Sequence, residues 1–488
     1  METPTTAPAG APARPGPDAA TALNRTLAVT VIGTVMAVLD MTIVNVALRR
    51  LSQSFGASLA TIQWTTTAYT LALAAVIPTA AWAMARFGAK RTYLTALTLF
   101  TLGSLLAACA WDAGSLIAFR AVQGLGGGLL QPVGMAMVMG AADRSRLGRA
   151  MAVGGLPVFV GPVAGPVLGG WLVDTASWHW IFLVNLPVGA VALTLAACLL
   201  PAHPPAPGTA VSASGETSVK PSGNPPVRLD VPGLLMLSPG LALLLYGLAR
   251  GGERGDFTTP GTLVPALTGA ALAAAFGRRA LTAPAPLLDL RLLRERAFAA
   301  GAGTLALFTC GYFGSMLLGP LYWQQERGLS ATAAGLLGAP AGLVVGTTMQ
   351  VAARWIDRVA PRRLIPAGVA VAALGMALMA WQAGVPGVAP WRMAGSAMVM
   401  GIGIGMVLMP TMTTASRDLP RDRLPAASTA LSITSQLGAS VGTAVLSVVL
   451  AAAGPHPSGF RTAYTVAATL LALSALPALA LPGRRRGR

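Results

Sequence analysis

The chain has 488 residues, of which 54% are hydrophobic and only 10% are charged, whereas soluble domains carry about 25% charged residues. This composition excludes an ordinary soluble protein and predicts a chain that crosses a membrane many times. The formal net charge of +18 would suggest a nucleic-acid partner for a soluble protein, but the basic residues of a membrane protein must first be assigned to one side of the bilayer.

Apolar stretches near 20 residues in length, bounded by Pro, Gly and charged residues, predict fourteen membrane spans. Six precede a segment rich in Pro, Gly and Ser, two follow it, and six complete the chain. The predicted spans are residues 27–48, 65–84, 92–110, 116–139, 150–172, 181–200, 231–249, 261–276, 297–318, 331–353, 364–380, 393–414, 425–450 and 462–481. The expected fold class is all-α and polytopic, with two six-helix bundles and two additional helices.

This order of spans also predicts the domains. The first segment lacks an apolar run and is rich in Pro, Ala and Thr, so we expect a disordered tail and no cleaved signal peptide. The predicted domains are a cytoplasmic tail (1–24), a six-helix bundle (25–200), a cytoplasmic Pro/Ser-rich linker (201–229), two extra helices (230–280), a second six-helix bundle (281–482) and a basic cytoplasmic tail (483–488).

The basic residues give the orientation. If the N-terminus is cytoplasmic, 26 of the 34 Lys and Arg residues fall in inner segments, seven fall in outer segments, and Arg120 lies within span four. The positive-inside rule favours this arrangement. We therefore expect both termini on the cytoplasmic side of the inner membrane.

Two short basic loops occupy matching places in the two predicted bundles. The loop after span two is ARFGAKR (residues 85–91), and the loop after span ten is DRVAPRR (residues 357–363). Any cytoplasmic loop tends to be basic, but the matched position indicates two parallel repeats with a substrate site between them. Arg86, Asp357 and Arg358 are accordingly candidate gating residues.

Asp40 is the one acidic residue well inside a long apolar stretch. A carboxylate there costs about 2.5 to 3.5 kcal/mol on insertion scales, so it is rarely kept without a use in transport. Asp40 and Arg120 differ in predicted depth by only about 5 Å, so they are expected to pair. A carboxyl with an intermittent Arg partner suits proton coupling, whereas the alternative is a fixed structural ion pair.

Span four places Arg120, Gln123, Gly127 and Gln131 on one stripe at helical spacing, which predicts a polar face along the central cavity. The two glutamines could instead bond to neighbouring helices. Aromatic side chains elsewhere could present stacking faces to an amphipathic substrate. The candidate substrate-cavity residues are Asn45, Tyr69, Gln123, Gln131, Tyr312 and Phe313.

Span five is rich in Gly and Pro, which predicts a helix that packs closely and bends. Its candidate gating and packing residues are Gly161, Pro162, Gly165, Pro166, Gly169 and Gly170. No GxxxxGK[ST] sequence occurs, so we expect energy to come from an ion gradient and not from ATP. The three histidines lie outside the apolar runs without metal-ligand spacing, so no metal or other cofactor is expected.

Four motifs carry a resemblance to a known family. They are LDMTIVNVAL (39–48), RAVQG (120–124), GPVAGPVLGG (161–170) and WHWIFLVNLP (178–187). Together they resemble the fourteen-span drug:proton antiporters of the major facilitator superfamily, in which RxxQG and GxxxGPxxGG are motifs. The resemblance implies the major facilitator fold and multidrug or antibiotic efflux by alternating access.

The chain departs from the family pattern at one loop. The superfamily usually has GxxxDRxGRRR between spans two and three, and here Ala81 and Ala85 stand in place of the Gly and the Asp. The second repeat keeps Asp357. Gating by a first-repeat Asp is therefore not expected here.

We therefore expect a proton-coupled antiporter, and not an enzyme, that exports small hydrophobic or amphipathic compounds. It would act as a monomer in the lipid bilayer, with protons and a small-molecule substrate as its partners and no nucleic acid. A dedicated exporter of one metabolite, such as a self-made antibiotic, is an alternative. An intramembrane enzyme acting on lipid-linked substrates is disfavoured because the chain offers a single embedded carboxylate and no intramembrane His.

Overall fold

A computed structural model describes residues 17–142, 146–200, 230–254, 258–283, 286–288, 290–329, 331–355, 359–385, 387–454 and 456–483, and every regular element among them is a helix. The α-helices in chain order are α1 (Pro17–Phe55), α2 (Leu59–Val76), α3 (Ala80–Phe87), α4 (Ala89–Ala108), α5 (Ala113–Ala141), α6 (Leu147–Thr175), α7 (Trp180–Leu183), α8 (Asn185–Leu199), α9 (Val231–Arg254), α10 (Pro260–Thr282), α11 (Arg296–Ser315), α12 (Leu318–Leu321), α13 (Ala331–Trp355), α14 (Pro361–Ala383), α15 (Pro390–Ser416), α16 (Leu424–Ala453), α17 (Pro457–Leu473) and α18 (Ala475–Leu479). Twelve helical stretches within the described ranges are long and apolar enough to cross a bilayer.

The N-terminal group of helices comprises α1, α2, α4, α5, α6 and α8, which pack on one another. Glycines set the close contacts. A Cβ added at Gly126 of α5 would overlap the backbone of Phe100 in α4, and one at Gly124 would overlap the backbone of Tyr69 in α2. Glycines two residues apart lie on nearly opposite faces of a helix, so each allows a different neighbouring backbone to approach closely. Helix α5 is therefore held directly between α2 and α4.

The C-terminal group comprises α11 and α13 to α17, which surround a second apolar core. Phe308, Met349, Val407, Leu431 and Tyr464 are fully buried in it. Helix α6 of the first group packs on α13 and α15 of the second, and α5 packs on α16. The two groups thus meet along α5 and α6 on one side and α13, α15 and α16 on the other.

Helices α9 and α10 pack on each other as a pair outside these two groups. Helix α9 packs on both α2 and α16. At one end Ile77 and Ile433 join Leu237 and Leu241 of α9 in one apolar cluster. At the other end the rings of Trp64 and Tyr246 lie 5.6 Å apart between centroids. Helix α9 therefore bridges α2 of the first group and α16 of the second.

Asp230 links the start of α9 to the end of α10. Its carboxylate accepts hydrogen bonds from Arg279 Nη2 at 2.8 Å and from the Gly233 amide at 3.0 Å. Burial acts to raise the pKa of the Asp230 carboxyl, but the bonds from Arg279 and the amides outweigh burial and hold that pKa below its usual value. The start of α9 and the end of α10 are consequently tied together.

Several predicted boundaries differ from the structure, and three of them change the description of the helices. Helix α1 begins at Pro17, so the predicted tail (1–24) is too long; Pro is favoured at the first helical position, and no Gly or Pro interrupts the chain before Gly33. Span two is divided at Pro78 into α2, a short turn and α3. Helix α10 runs 23 residues to Thr282, beyond the predicted end at residue 276, because Arg279 finds a partner in Asp230. The predicted linker (201–229) lies outside the described residues.

Replacing Asp230 with Ala tests the tie between α9 and α10. Loss of bonds to a carboxylate should lower the melting temperature of the purified protein by about 2 °C at pH 7. Because the folded-state pKa is lowered, the contribution of Asp230 is present above about pH 3.9 and is lost as the pH falls further. Asp422→Ala, which removes an exposed acid, is the matched control. Equal melting temperatures for the two variants at pH 7 would contradict the tie.

Candidate functional site

Asp40 and Arg120 form a buried ion pair between α1 and α5. Arg120 Nη1 lies 2.6 Å from Asp40 Oδ2, and both side chains are completely buried. The depth argument from the sequence predicted this contact. A buried pair of this kind repays its desolvation only if further hydrogen bonds satisfy the remaining polar atoms, so the surrounding groups decide how firmly it is held.

Two amides complete the coordination of the carboxylate. Asp40 Oδ1 accepts from Gln123 Nε2 at 2.8 Å and from Asn185 Nδ2 at 2.9 Å. Arg120 Nη1 also donates to Gln123 Oε1 at 2.6 Å. Ser104 Oγ accepts from Gln123 at 3.2 Å and from Asn185 at 3.0 Å. We call Asp40, Arg120, Gln123, Asn185 and Ser104 the carboxylate cluster.

Local structure sets where the helices that carry Arg120 and Asn185 begin. Asp112 caps α5 by accepting from the Ser115 amide at 2.6 Å, and this bond lowers the pKa of the Asp112 carboxyl. The cap sets the start of the helix that carries Arg120. Pro187 has no amide hydrogen to donate to residue 183, which accounts for the break between α7 and α8. Asn185 is the first residue of α8, directly after that break.

The other side of Arg120 faces aromatic rings. Its Cζ lies 4.3 Å from the centroid of Tyr69 and 5.8 Å from that of Phe182. Its Nε and Nη2 have no hydrogen-bond partner among the described residues. Cation–π contact offsets part of this cost. Gly127 leaves room for the Tyr69 hydroxyl, since a Cβ there would lie 2.5 Å from it.

The structure separates the two glutamines of the polar stripe. Gln123 is fully buried in the carboxylate cluster, so it bonds to neighbouring helices, the second of the two alternatives. Gln131 lies about 12 Å further along α5. It lines a small cavity with Thr30, Thr34, Met135 and Met409, between α1, α5 and α6 of one group and α15 of the other.

This interface cavity is small. Its volume is about 50 Å³, which is room for only a few water molecules. The Met409 side chain fills the space beside Gly155, because a Cβ at Gly155 would lie 2.5 Å from Met409 Cε. A drug-sized ligand would need the two groups of helices to move apart at α6 and α15.

The remaining candidates lie elsewhere. Tyr69 is 1% exposed and covered by Arg120, while Tyr312 is 8% exposed and packs within the C-terminal core. Tyr312 contacts Phe313, with ring centroids 4.8 Å apart. The backbone of Asn45, Pro162, Pro166 and Gly170 is helical, but their side chains lie outside the described set. Asp357 and Arg358 lie outside the described residues altogether.

The candidates on α6 and in the first basic loop are placed clearly. Three glycines of α6 face α1. A Cβ added at Gly161 would overlap Val38, and one added at Gly165 would overlap Thr42. A Cβ added at Gly169 would lie 3.2 Å from Ile43. Thr42 Oγ1 also donates to the Gly161 carbonyl at 3.3 Å. Arg86 lies at the end of α3, with its Cζ 5.8 Å from the centroid of Phe87.

Sequence reasoning missed Asn185 and Ser104 as members of the site. Asn185 stands in the WHWIFLVNLP motif that carries part of the family resemblance, so a polar residue at the start of a predicted span was the available signal. Ser104 gave no signal, because serine is common in membrane helices. Within the described residues no group of three or more His, Cys, Asp or Glu side chains is placed to hold a metal ion.

Known proteins share both the sequence and the fold. The family model "Major Facilitator Superfamily" matches residues 30–443. Over 452 residues the chain is 41% identical to the "Multidrug resistance protein B homolog" of Mycobacterium tuberculosis (strain H37Rv), covering 92% of this chain and 80% of that protein. It is 32% identical over 465 residues to the "Putative multidrug resistance protein MdtD" of Cronobacter sakazakii, covering 91% and 92%.

A solved structure gives the same fold. The proton:xylose symporter XylE, bound to 6-bromo-6-deoxy-D-glucose, superposes with a TM-score of 0.63 at 14% identity, covering 94% of this chain and 95% of that one. These likenesses confirm the predicted all-helical major facilitator fold and a transporter rather than an enzyme. On the family match and the 41% identical relative, the chain belongs to the Major Facilitator Superfamily.

Proposed function

We propose that the protein exports small hydrophobic or amphipathic compounds, drugs and antibiotics among them, in exchange for protons. The observation that carries the proposal is the fully buried Asp40 carboxylate, held by Arg120 and two amides inside a membrane bundle. Relatives named for multidrug resistance support the substrate class. The energy source is the proton gradient, with no cofactor.

The proposed topology has fourteen spans. Helices α4 and α6, with 20 and 29 residues, add to the twelve apolar stretches, and each is long enough to cross about 30 Å of hydrocarbon. The domains are then two six-helix bundles joined by the linker and the α9–α10 pair. The protein lies in the inner membrane with both termini in the cytoplasm, as the distribution of Lys and Arg favours, and it acts as a monomer.

Asp40 carries the proton in this mechanism. The charged carboxylate is held by Arg120, Gln123 and Asn185 in the arrangement described above. Because Asp40 is completely buried, it cannot exchange a proton with water until the helices around it move. Protonation removes the negative charge, which weakens its attraction for Arg120 and leaves the guanidinium against the ring of Tyr69.

Helix α6 passes this change on to the second bundle. Helix α1, which carries Asp40, is bonded to α6 through Thr42 and lies on its glycines. Helix α6 in turn packs on α13 and α15. A shift of α1 on protonation therefore moves the surface that closes the interface cavity, and this links proton binding to opening of the substrate site.

The substrate site in this proposal is the interface cavity. Gln131 supplies a polar contact there, and Met135 and Met409 supply flexible apolar surface that suits varied ligands. Asn45, Tyr69, Tyr312 and Phe313 remain candidates for the open state. Gating involves Arg86 in the first bundle and Asp357 and Arg358 in the second, together with the Gly and Pro residues of α6.

Removing the charge of Asp40 tests proton coupling. Asp40→Asn should reduce uphill efflux from proteoliposomes to background, at least tenfold, because Asn cannot titrate. It also strands the buried Arg120 charge, which costs about 3 to 5 kcal/mol of stability. The double variant Asp40→Asn, Arg120→Gln removes both charges and restores the melting temperature. A fixed structural pair predicts that this double variant transports; proton coupling predicts that it does not.

Asn185 tests the role of the carboxylate cluster. Asn185→Ala removes one of the two amide donors to the Asp40 carboxylate, which weakens the arrangement that holds the charged form. The maximal rate of uphill efflux should fall about tenfold, the effect expected for loss of one hydrogen bond to a charged group. Thr194→Ala, an exposed position on the same helix, is the matched control and should transport as wild type does. A wild-type rate in Asn185→Ala would remove Asn185 from the coupling site.

A further inference from the structure

A cavity larger than the interface cavity lies away from the carboxylate cluster, between the beginnings of α1 and α6. It has a volume of about 560 Å³, within the range of about 300 to 1,000 Å³ typical of small-molecule sites. Leu23, Leu27, Val31 and Val153 supply apolar walls, and Arg146 and Arg149 supply charge. We call this the α1–α6 groove.

The groove opens away from the second bundle. On α6, Gly155 faces Met409 of α15, whereas Val153 lines the groove. Two residues correspond to about 200° of rotation around a helix, so Val153 and Gly155 lie on nearly opposite faces. The α1–α6 groove therefore opens on the outer surface of the bundle, which faces lipid, and not toward the interface cavity.

Charge and apolar surface are separated along the groove. Arg146 and Arg149 stand at the start of α6, and Leu27, Val31 and Val153 lie deeper along the two helices. From Leu23 to Val31 the wall extends about 12 Å, close to the depth of one hydrocarbon leaflet of about 15 Å. This is the profile of an amphiphile with a charged head at the membrane surface.

The charges of the groove are available for a ligand. Arg146 and Arg149 are exposed, and neither forms an ion pair with another described residue. The start of α6 has no side-chain cap, so its free amides and the helix dipole add to the positive potential. No acidic side chain is found among the described residues of the lining.

We propose that the α1–α6 groove binds an anionic phospholipid of the cytoplasmic leaflet. The phosphate lies between Arg146 and Arg149, and one acyl chain lies along Leu27, Val31 and Val153. Basic pockets between membrane helices on the cytoplasmic side recognise anionic head groups in this way. The inference rests on the proposed topology, which places the starts of α1 and α6 at the cytoplasmic surface, and it does not depend on the compound exported.

Native mass spectrometry of the purified full chain tests this site. The protein is titrated with phosphatidylglycerol and with phosphatidylcholine of the same acyl chains. Wild type should retain phosphatidylglycerol at least tenfold more tightly. Arg146→Gln with Arg149→Gln should weaken that binding about thirtyfold, from the contribution of two basic residues near a membrane surface. Arg362→Gln with Arg363→Gln, two exposed arginines at the start of α14, is the matched control and should bind as wild type does.

Two further measurements distinguish lipid binding in the groove from non-specific attraction between charges. Val153→Trp fills the space along the apolar wall of the groove and keeps both arginines. This variant should also lose phosphatidylglycerol binding. Glycerol phosphate, a head group without chains, should not displace the lipid. Unchanged binding in the double Arg or Trp variant, equal loss in the control, or displacement by glycerol phosphate would overturn the proposal. Folding is checked by size-exclusion profile. Because no arm measures transport, this result stands apart from that for Asp40.

Discussion

A single negative charge inside the membrane sets the demands that the N-terminal bundle meets. In a medium of low dielectric constant the Asp40 carboxylate is tolerable only when paired and hydrogen-bonded. Helix α1 carries the acid, α5 supplies Arg120 and Gln123 as donors, and α8 supplies Asn185. Ser104 of α4 in turn accepts from Gln123 and Asn185. Because the donors to Asp40 come from two other helices, the charge state of Asp40 and the packing of the bundle are linked.

In the proposed mechanism, close helix packing carries a change at Asp40 to the second bundle. The glycines of α5 and α6 bring helix backbones into direct contact, and closely packed interfaces shift between discrete arrangements instead of deforming smoothly. Helix α6 contacts both α1 and the second bundle. Helix α9 contacts both α2 and α16, whereas the interface cavity is lined by α1, α5, α6 and α15.

Some of this could be predicted from the sequence and some could not. The pairing of Asp40 with Arg120 followed from helical rise alone, because depth in a membrane is set by residue count. The stripe on span four grouped Gln123 with Gln131, and a helical projection cannot show that about 12 Å along the axis separates a buried cluster from an interface cavity. Asn185 and Ser104 were missed because their roles arise from tertiary contacts. The greater length of α10 depends on Arg279 meeting Asp230, which no local pattern indicates.

The central claim is that Asp40 exchanges its proton during transport. Infrared difference spectroscopy of the purified protein in lipid, recorded on addition of an exported drug, observes the carboxyl group directly. Drug-free wild type, in which Asp40 is paired with Arg120, should gain the protonated-carboxyl band on acidification and lose it again on drug binding, and the stabilised double variant Asp40→Asn, Arg120→Gln should show no such change. The same band change in that variant, or its absence in a wild-type protein that transports, would contradict the account.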